Sequence, residues 1–187
     1  MKIVAIVGSP RSAGNTSCLV DEILGEAGRG GCETEKIVLG EYRVAPCLGH
    51  QDCGSFPECR QQDDAPWILE RFRQAEGIVL GSPVYYYSVT AQMKAFIDRN
   101  YFLYRHGIPL RAQCAGLVVV AGGNGVDQTF RALRRFVKLS TGIPDERILS
   151  LTGLASSQNA VMSNAPLLEE ARSLGARMVA MLVSPGD

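Results

Sequence analysis

Apolar positions along the chain follow two rhythms that take turns. Residues 2–7 (Lys-Ile-Val-Ala-Ile-Val) form an unbroken apolar run, the pattern of a parallel strand buried on both faces. From 15 to about 27 the rhythm turns helical, with Leu19, Val20, Ile23 and Leu24 on one side, and Gly28, Gly30 and Gly31 stop it. A second strand is predicted over 33–39, a third over 77–81, a fourth over 113–121 and a fifth over 147–151. Helical spacing returns over 63–75, where Asp63-Asp64 precede Pro66 as a cap precedes an early proline. It returns again over 90–100, with Met93, Phe96 and Ile97 inward, and over 124–140 and 166–183.

Five strands alternating with five helices predict an α/β fold: a doubly wound, five-stranded parallel sheet covered on both faces, three layers deep. The whole chain, 1–187, reads as one domain. One stretch breaks the alternation. Residues 40–62 have no rhythm, are rich in Cys, Gly, Pro and Asp, and read as a cysteine-containing insertion; irregular stretches of that length in compact domains are often functional.

Composition narrows the partners. Hydrophobic residues make up 46% of the chain and charged residues 20%, ordinary for a core-forming protein. Nineteen basic residues balance nineteen acidic ones, so nothing electrostatic points to nucleic acid or an anionic membrane, and near-neutral charge favours self-association mildly. The first apolar run is too short for a signal segment or a membrane span, so a cytoplasmic location is expected. In such a compartment six cysteines do not form a disulfide framework. Cys18, Cys32 and Cys114 read as small core residues, whereas Cys47, Cys53 and Cys59 crowd into thirteen positions and ask for redox or metal chemistry.

Ligands of doubly wound sheets sit beyond the carboxyl ends of the strands. Three loops there are rich in turn-forming and polar residues. The first, Gly8-Ser9-Pro10-Arg11-Ser12-Ala13-Gly14-Asn15-Thr16-Ser17, opens a helix whose N-terminal N–H groups suit a phosphate. Ser9, Asn15, Thr16 and Ser17 can add polar groups and Arg11 a charged donor. The loop is neither G-x-G-x-x-G nor a P-loop, and it has no Lys where a P-loop needs one, so a monophosphate fits better than ATP or a pyrophosphate. A second loop, Pro83-Val84-Tyr85-Tyr86-Tyr87-Ser88, suits a flat heteroaromatic ring or a subunit interface. A third, Gly122-Gly123-Asn124, either lets backbone approach a ligand closely or simply turns the chain.

On these segments, and on Gly81-Ser82-Pro83-Val84-Tyr85 running through Ala91-Gln92-Met93-Lys94-Ala95-Phe96-Ile97-Asp98-Arg99, the chain resembles the NAD(P)H-dependent FMN reductases, a flavodoxin-like family. The resemblance spans roughly residues 1–180, judged by the order of elements. It implies FMN as cofactor, with the first loop on its phosphate, the second around its isoalloxazine and the third flanking it. It also implies NAD(P)H as co-substrate, a quinone, azo or nitro compound, free flavin or protein as electron acceptor, and a homodimer or homotetramer. No general acid or base can be named, because the flavin carries the chemistry.

The insertion carries Cys47, His50, Cys53 and Cys59 in the spacing C-x2-H-x2-C-x5-C. It is similar to the cluster loop of iron–sulfur flavoproteins, a branch of the same family in which four cysteines in a compact run bind a [4Fe–4S] cluster. Here His50 stands where the second cysteine is expected. Three readings stay open: an iron–sulfur centre with a histidine ligand, a Cys3His zinc site, or a metal-free loop shaping the flavin pocket. Two further functions follow: an iron–sulfur flavoprotein carrying electrons between protein partners, or a zinc-stabilised structural or regulatory module. Arg131, Arg134, Arg135 and Lys138 read as a solvated helix face, with a nicotinamide 2′-phosphate site or an oligomer contact as the alternatives. Trp67 is expected near the cysteine loop, and His106, after the aromatic segment 101–104, in an interface.

Overall fold

A computed structural model describes residues 1–184 of the chain; of the predicted single domain 1–187, the last three residues lie outside it. Five parallel strands, β1 (Lys2–Val7), β2 (Glu33–Val38), β3 (Gly77–Pro83), β4 (Cys114–Ala121) and β5 (Ile148–Leu154), form one sheet in the order β2-β1-β3-β4-β5. That order is the flavodoxin-like arrangement, with its switch point between β1 and β3. Six α-helices accompany it: α1 (Asn15–Arg29), α2 (Ala65–Gln74), α3 (Ala91–Arg99), α4 (Tyr101–Arg105), α5 (Val126–Thr141) and α6 (Ala165–Val183).

The strands are apolar throughout because alternate residues feed two different cores. Val4 and Ile6 of β1 join Phe72, Met93, Phe96 and Phe136 under α2, α3 and α5. Ile3, Ala5 and Val7 join Leu19, Ile23, Leu174 and Met178 under α1 and α6. β4 repeats the division, sending Leu117 and Val119 one way and Val118 and Val120 the other. On the first side the Phe72 and Phe96 rings meet edge to face at 5.0 Å. Full burial of one such side chain contributes about 1.5–3 kcal/mol.

Several predicted boundaries move, each for a local reason. β3 runs on to Pro83, because Val84 N–H donates to Val120 O at 2.7 Å and keeps the strand beside β4. β5 runs three residues past the expected end at 151, paired with β4 as far as Ala121–Leu154. α5 starts at Val126 rather than 124, since Gly125 takes the left-handed φ of 91°. The aromatic segment 101–104, for which the sequence predicts no regular element, lies in the short helix α4, which makes six α-helices among the described residues where five were predicted. Residues 40–64 are irregular apart from the 3-10 turns Leu39–Glu41 and Cys53–Ser55. Among the described residues no helix is long and apolar enough to cross a membrane.

Candidate functional site

A cleft of about 170 Å³ opens at the carboxyl edge of the sheet, over the ends of β1, β3 and β4. Its floor is the first loop. Gly8 N–H donates to Gly81 O at 2.7 Å, and the Thr90 hydroxyl donates to Gly8 O at 2.6 Å, so the loop is tied to β3 and to the start of α3. Gly8 has to be glycine, because an added Cβ would lie 2.7 Å from Met93 Cβ. The loop then curls inward, with Arg11 N–H donating to Ser9 Oγ at 3.1 Å, and α1 begins.

The start of α1 is electrostatically bare. Its N-cap is Gly14, no side chain caps it, and no acidic residue stands in the first turn. Unpaired N–H groups, the positive end of a helix of 15 residues and the neighbouring Arg11 therefore meet in one place. This is the chemistry of a phosphate cradle.

Eight of the fourteen residues expected at the cofactor line this cleft: Ser9, Arg11, Asn15, Thr16, Pro83, Val84, Tyr85 and Gly122. Asn15 has a second task. Its Nδ2 donates to Ser157 O at 2.8 Å and its Oδ1 accepts from Val161 N–H at 3.2 Å, so it fastens α1 to the loop after β5. Ser17 is turned away and buried, with its Oγ accepting from Lys36 Nζ at 3.1 Å. Gly123 and Asn124 lie beyond the lining, exposed.

Tyr86, Tyr87 and Ser88 also stand outside the lining, in an unusual turn. Tyr85 and Ser88 pair their backbones at 3.0 and 3.2 Å, and the two residues between them hold positive φ values of 48° and 65°. Such a tight turn favours Asn-Gly; two tyrosines there are strained, and Tyr86 is 97% exposed. The turn packs at the end of the third loop, since a Cβ on Gly125 would come within 2.9 Å of Tyr87 Cα.

The remaining wall was not foreseen. Ala155, Ser156, Ser157 and Gln158, in the loop leaving β5, complete the lining of the cleft. The available signal was the rule that brought in the other loops, namely departure from the carboxyl end of a strand. Ending β5 at 151 hid it.

Cys47, His50, Cys53 and Cys59 sit elsewhere, in the insertion, and all four are half-buried. Burial pushes the Cys53 thiol up; Cys59 and Cys47 add to that and Arg105 opposes it. Cys59 Sγ accepts from Arg99 at 3.3 Å. Among the described residues, however, no three His, Cys, Asp or Glu side chains come together closely enough to hold a metal ion. No fourth thiol is near: Cys32 and Cys114 are buried under α1 and α6, and Cys18 packs against that same core. Burial raises the Cys114 thiol to about 12, which suits an inert core residue. Trp67 stacks on Tyr42 at 5.4 Å, just before the cysteine stretch. His106 reaches the insertion, one ring nitrogen lying 2.7 Å from Phe56 O. Arg134 and Lys138 are engaged by Asp145 at 3.1 and 2.9 Å, which leaves them as part of a solvated surface network.

A flavodoxin-like sheet with an anion cradle at its switch point defines the class as mononucleotide-binding α/β proteins. The model of the NADPH-dependent FMN reductase family matches residues 1–145, and the chain belongs to that family of flavin oxidoreductases. It is 43% identical over 130 residues to the iron-sulfur flavoprotein MJ1083 of Methanocaldococcus jannaschii, covering 69% of this chain and 67% of that one. An iron-sulfur flavoprotein of Archaeoglobus fulgidus is 40% identical over 125 residues, 67% of this chain and 56% of its own length. The chain thus matches between about half and two thirds of these relatives. Among solved structures, an azoreductase of Bacillus anthracis superposes with a TM-score of 0.71 at 15% identity, covering 95% and 99% of the two chains. The NAD(P)H:quinone oxidoreductase of Methanothermobacter marburgensis superposes at 0.70 with 14% identity, covering 95% and 96%. Identities this low speak for the fold alone.

Proposed function

We propose that the chain is an FMN-dependent oxidoreductase that takes reducing equivalents from NAD(P)H and passes them to a quinone, an azo or nitro compound, free flavin or a protein. The observation that carries this reading is the uncapped first turn of α1, opening beside Arg11 into a cleft walled by the loops after β3, β4 and β5. The residues fit a flavin mononucleotide. Backbone N–H groups of the first turn, Arg11, Ser9 and Thr16 would hold the phosphate, and Pro83 to Tyr85 and Gly122 would border the ring. Bound there, FMN supplies two-electron hydride chemistry and one-electron transfer. The protein's own contribution is binding and orientation. Thr90 and Asn15 keep the cradle in shape, and the strained turn that follows the lining residue Tyr85 carries the exposed rings of Tyr86 and Tyr87.

The test is to purify the chain anaerobically, record its flavin bands and mix it with NADH and with NADPH. Flavin bleaching within a catalytic turnover supports the enzyme. Bound flavin that stays oxidised with both nucleotides overturns it.

A second reading, an electron carrier of the iron–sulfur type, is favoured by the names of the M. jannaschii and A. fulgidus relatives and by the three-cysteine loop. The loop as folded does not fit a [4Fe–4S] cluster with four thiolates, because it offers three thiols and His50. No step is therefore routed through a metal. Iron, sulfide and zinc analysis of the same preparation separates the carrier, a zinc-stabilised module and a metal-free enzyme. Self-association belongs to this proposal too. A hollow of about 870 Å³ beside α3, α4 and α5 is rimmed by exposed Tyr104 and Leu139, a surface suited to a second copy. Light scattering of L139E against the parent chain tests it, with loss of the oligomer expected.

A further inference from the structure

Arg99 closes the last turn of α3 and is the largest of the fully buried side chains. An arginine is almost never buried this deeply without a partner. One terminal nitrogen donates to Ala45 O at 3.2 Å and to the Asp63 carboxylate. The other donates to Cys59 Sγ at 3.3 Å. Asp63 is equally enclosed and accepts from the N–H groups of Ala45 at 2.9 Å and Ala65 at 3.1 Å. Both limbs of the cysteine loop, the entry at 45 and the exit at 59–63, are therefore fastened to one guanidinium. The planar fork reaches the three points from two separate nitrogens, whereas an ammonium would have to reach all of them from one.

The opposite end of the same helix carries the flavin site. Thr90 caps α3, accepting from Met93 N–H at 3.1 Å while its hydroxyl holds Gly8 O. Nine residues of helix, about 13 Å, separate the two ends. A second link bypasses the helix. Where the irregular segment begins, a Cβ on Gly40 would lie 3.0 Å from both Pro10 Cα and Pro10 O, so the base of the cysteine loop rests on the phosphate loop.

We propose that Arg99 is a positioning residue for the flavin site. By clamping the cysteine loop to α3 it holds the phosphate loop in shape at two places, through Thr90 and Gly8 along the helix and through Gly40 and Pro10 at the base of the loop. This rests on the reading of the first loop as an FMN phosphate site.

The experiment removes FMN from the full chain and titrates it back, following quenching of flavin fluorescence and the visible circular dichroism of the bound flavin. R99Q is expected to raise Kd about tenfold and to alter the dichroic band, and R99K less, because sub-ångström misplacement of binding groups is felt strongly. G40A, which pushes on Pro10 while leaving Arg99 alone, is expected to raise Kd about fivefold by the same misplacement. L182A, a core truncation beside Gly77 at the amino end of β3 and away from both paths, lowers the melting temperature and leaves Kd within about twofold, because it creates a cavity rather than moving the site. The proposal is overturned if either R99Q or G40A binds as the parent does, or if L182A weakens binding as much as R99Q. Should R99Q not fold, R99K decides in its place, a parental Kd overturning the proposal. A parent chain that takes up no FMN overturns the flavin reading, and this inference with it; normal uptake with unmoved variants overturns this inference only.

Discussion

Two loops leave neighbouring strands, β1 and β2, and they are held in opposite ways. The first loop, the proposed phosphate loop, is short and fixed by backbone: glycine where the chain must pass Met93, carbonyl bonds to β3 and α3, and a helix start left open. The cysteine loop is long and nearly without regular structure, and it is held by side chains that converge on Arg99 and Asp63. A site that must bind a fixed anion benefits from the first construction, since nothing has to reorganise. A loop whose thiols are to react or to gather a ligand benefits from the second, because one ion pair can hold it or release it.

The largest expected effect breaks the side-chain latch. D63N leaves the Arg99 charge buried without its counter-ion, and breaking a buried pair in this way costs about 3–5 kcal/mol. Chemical denaturation should show that loss, and limited proteolysis should cut first within residues 40–62. A D63N chain with parental stability would mean that the pair is not what holds the loop. The acid limb follows the same logic. Burial alone would raise the Asp63 carboxyl, but the bonds from Arg99 and from the Ala45 and Ala65 N–H groups outweigh it and hold the group below its ordinary value of 3.8. A depressed carboxyl contributes its stability in full above the unfolded value and loses it as pH falls through the folded one. The parent should therefore lose stability below about pH 4 more steeply than D63N does.

Next comes the backbone-built loop. G8A drives a methyl to within 2.7 Å of Met93 Cβ and 3.0 Å of Thr90 Oγ1. Overpacking of that kind costs about 1–3 kcal/mol, and here it also displaces the cradle. The expected outcome is a folded chain that purifies without flavin. A yellow G8A protein with parental affinity would show that the cradle tolerates the shift.

The turn and open helix start of the first loop were readable in the sequence because their determinants are local: glycine, proline, small hydroxyls and a helix start, all within ten residues. The cores were readable because period-two and helical rhythms survive in apolar strands and amphipathic helices. The latch was not readable. Arg99 meets Ala45 54 positions away and Asp63 36 positions away, and no local rule marks an arginine at a helix end as buried. The wall at 155–158 was missed because Thr152-Gly153 looks like a turn, whereas both residues pair with β4. The short helix α4 was missed because five residues are too few to show a period.

A smaller effect runs in the stabilising direction. Replacing Tyr86-Tyr87 by Asn-Gly gives the tight turn the residues it favours and should add about 1–2 kcal/mol, since Asn and Gly tolerate the left-handed region that strains two tyrosines. Turnover with NAD(P)H should fall while FMN stays bound, because the exposed aromatic surface is lost and the cradle is untouched. If stability and turnover rise together, the strain has no functional purpose.

The smallest effect separates buried from exposed charge. Asp145, like Asp63, is held below its ordinary value, here first by the bond from Lys138 and then by that from Arg134, but it lies open to water. An exposed network is screened by salt, whereas a pair sealed beneath the cysteine loop is not. In about 1 M salt, where the screening length falls to about 3 Å, D145N should unfold at the same denaturant concentration as the parent, and D63N should keep its full deficit. A D63N deficit that shrank with salt would place the Arg99–Asp63 pair in contact with solvent, and the latch would then be a loose surface contact in place of a buried clasp.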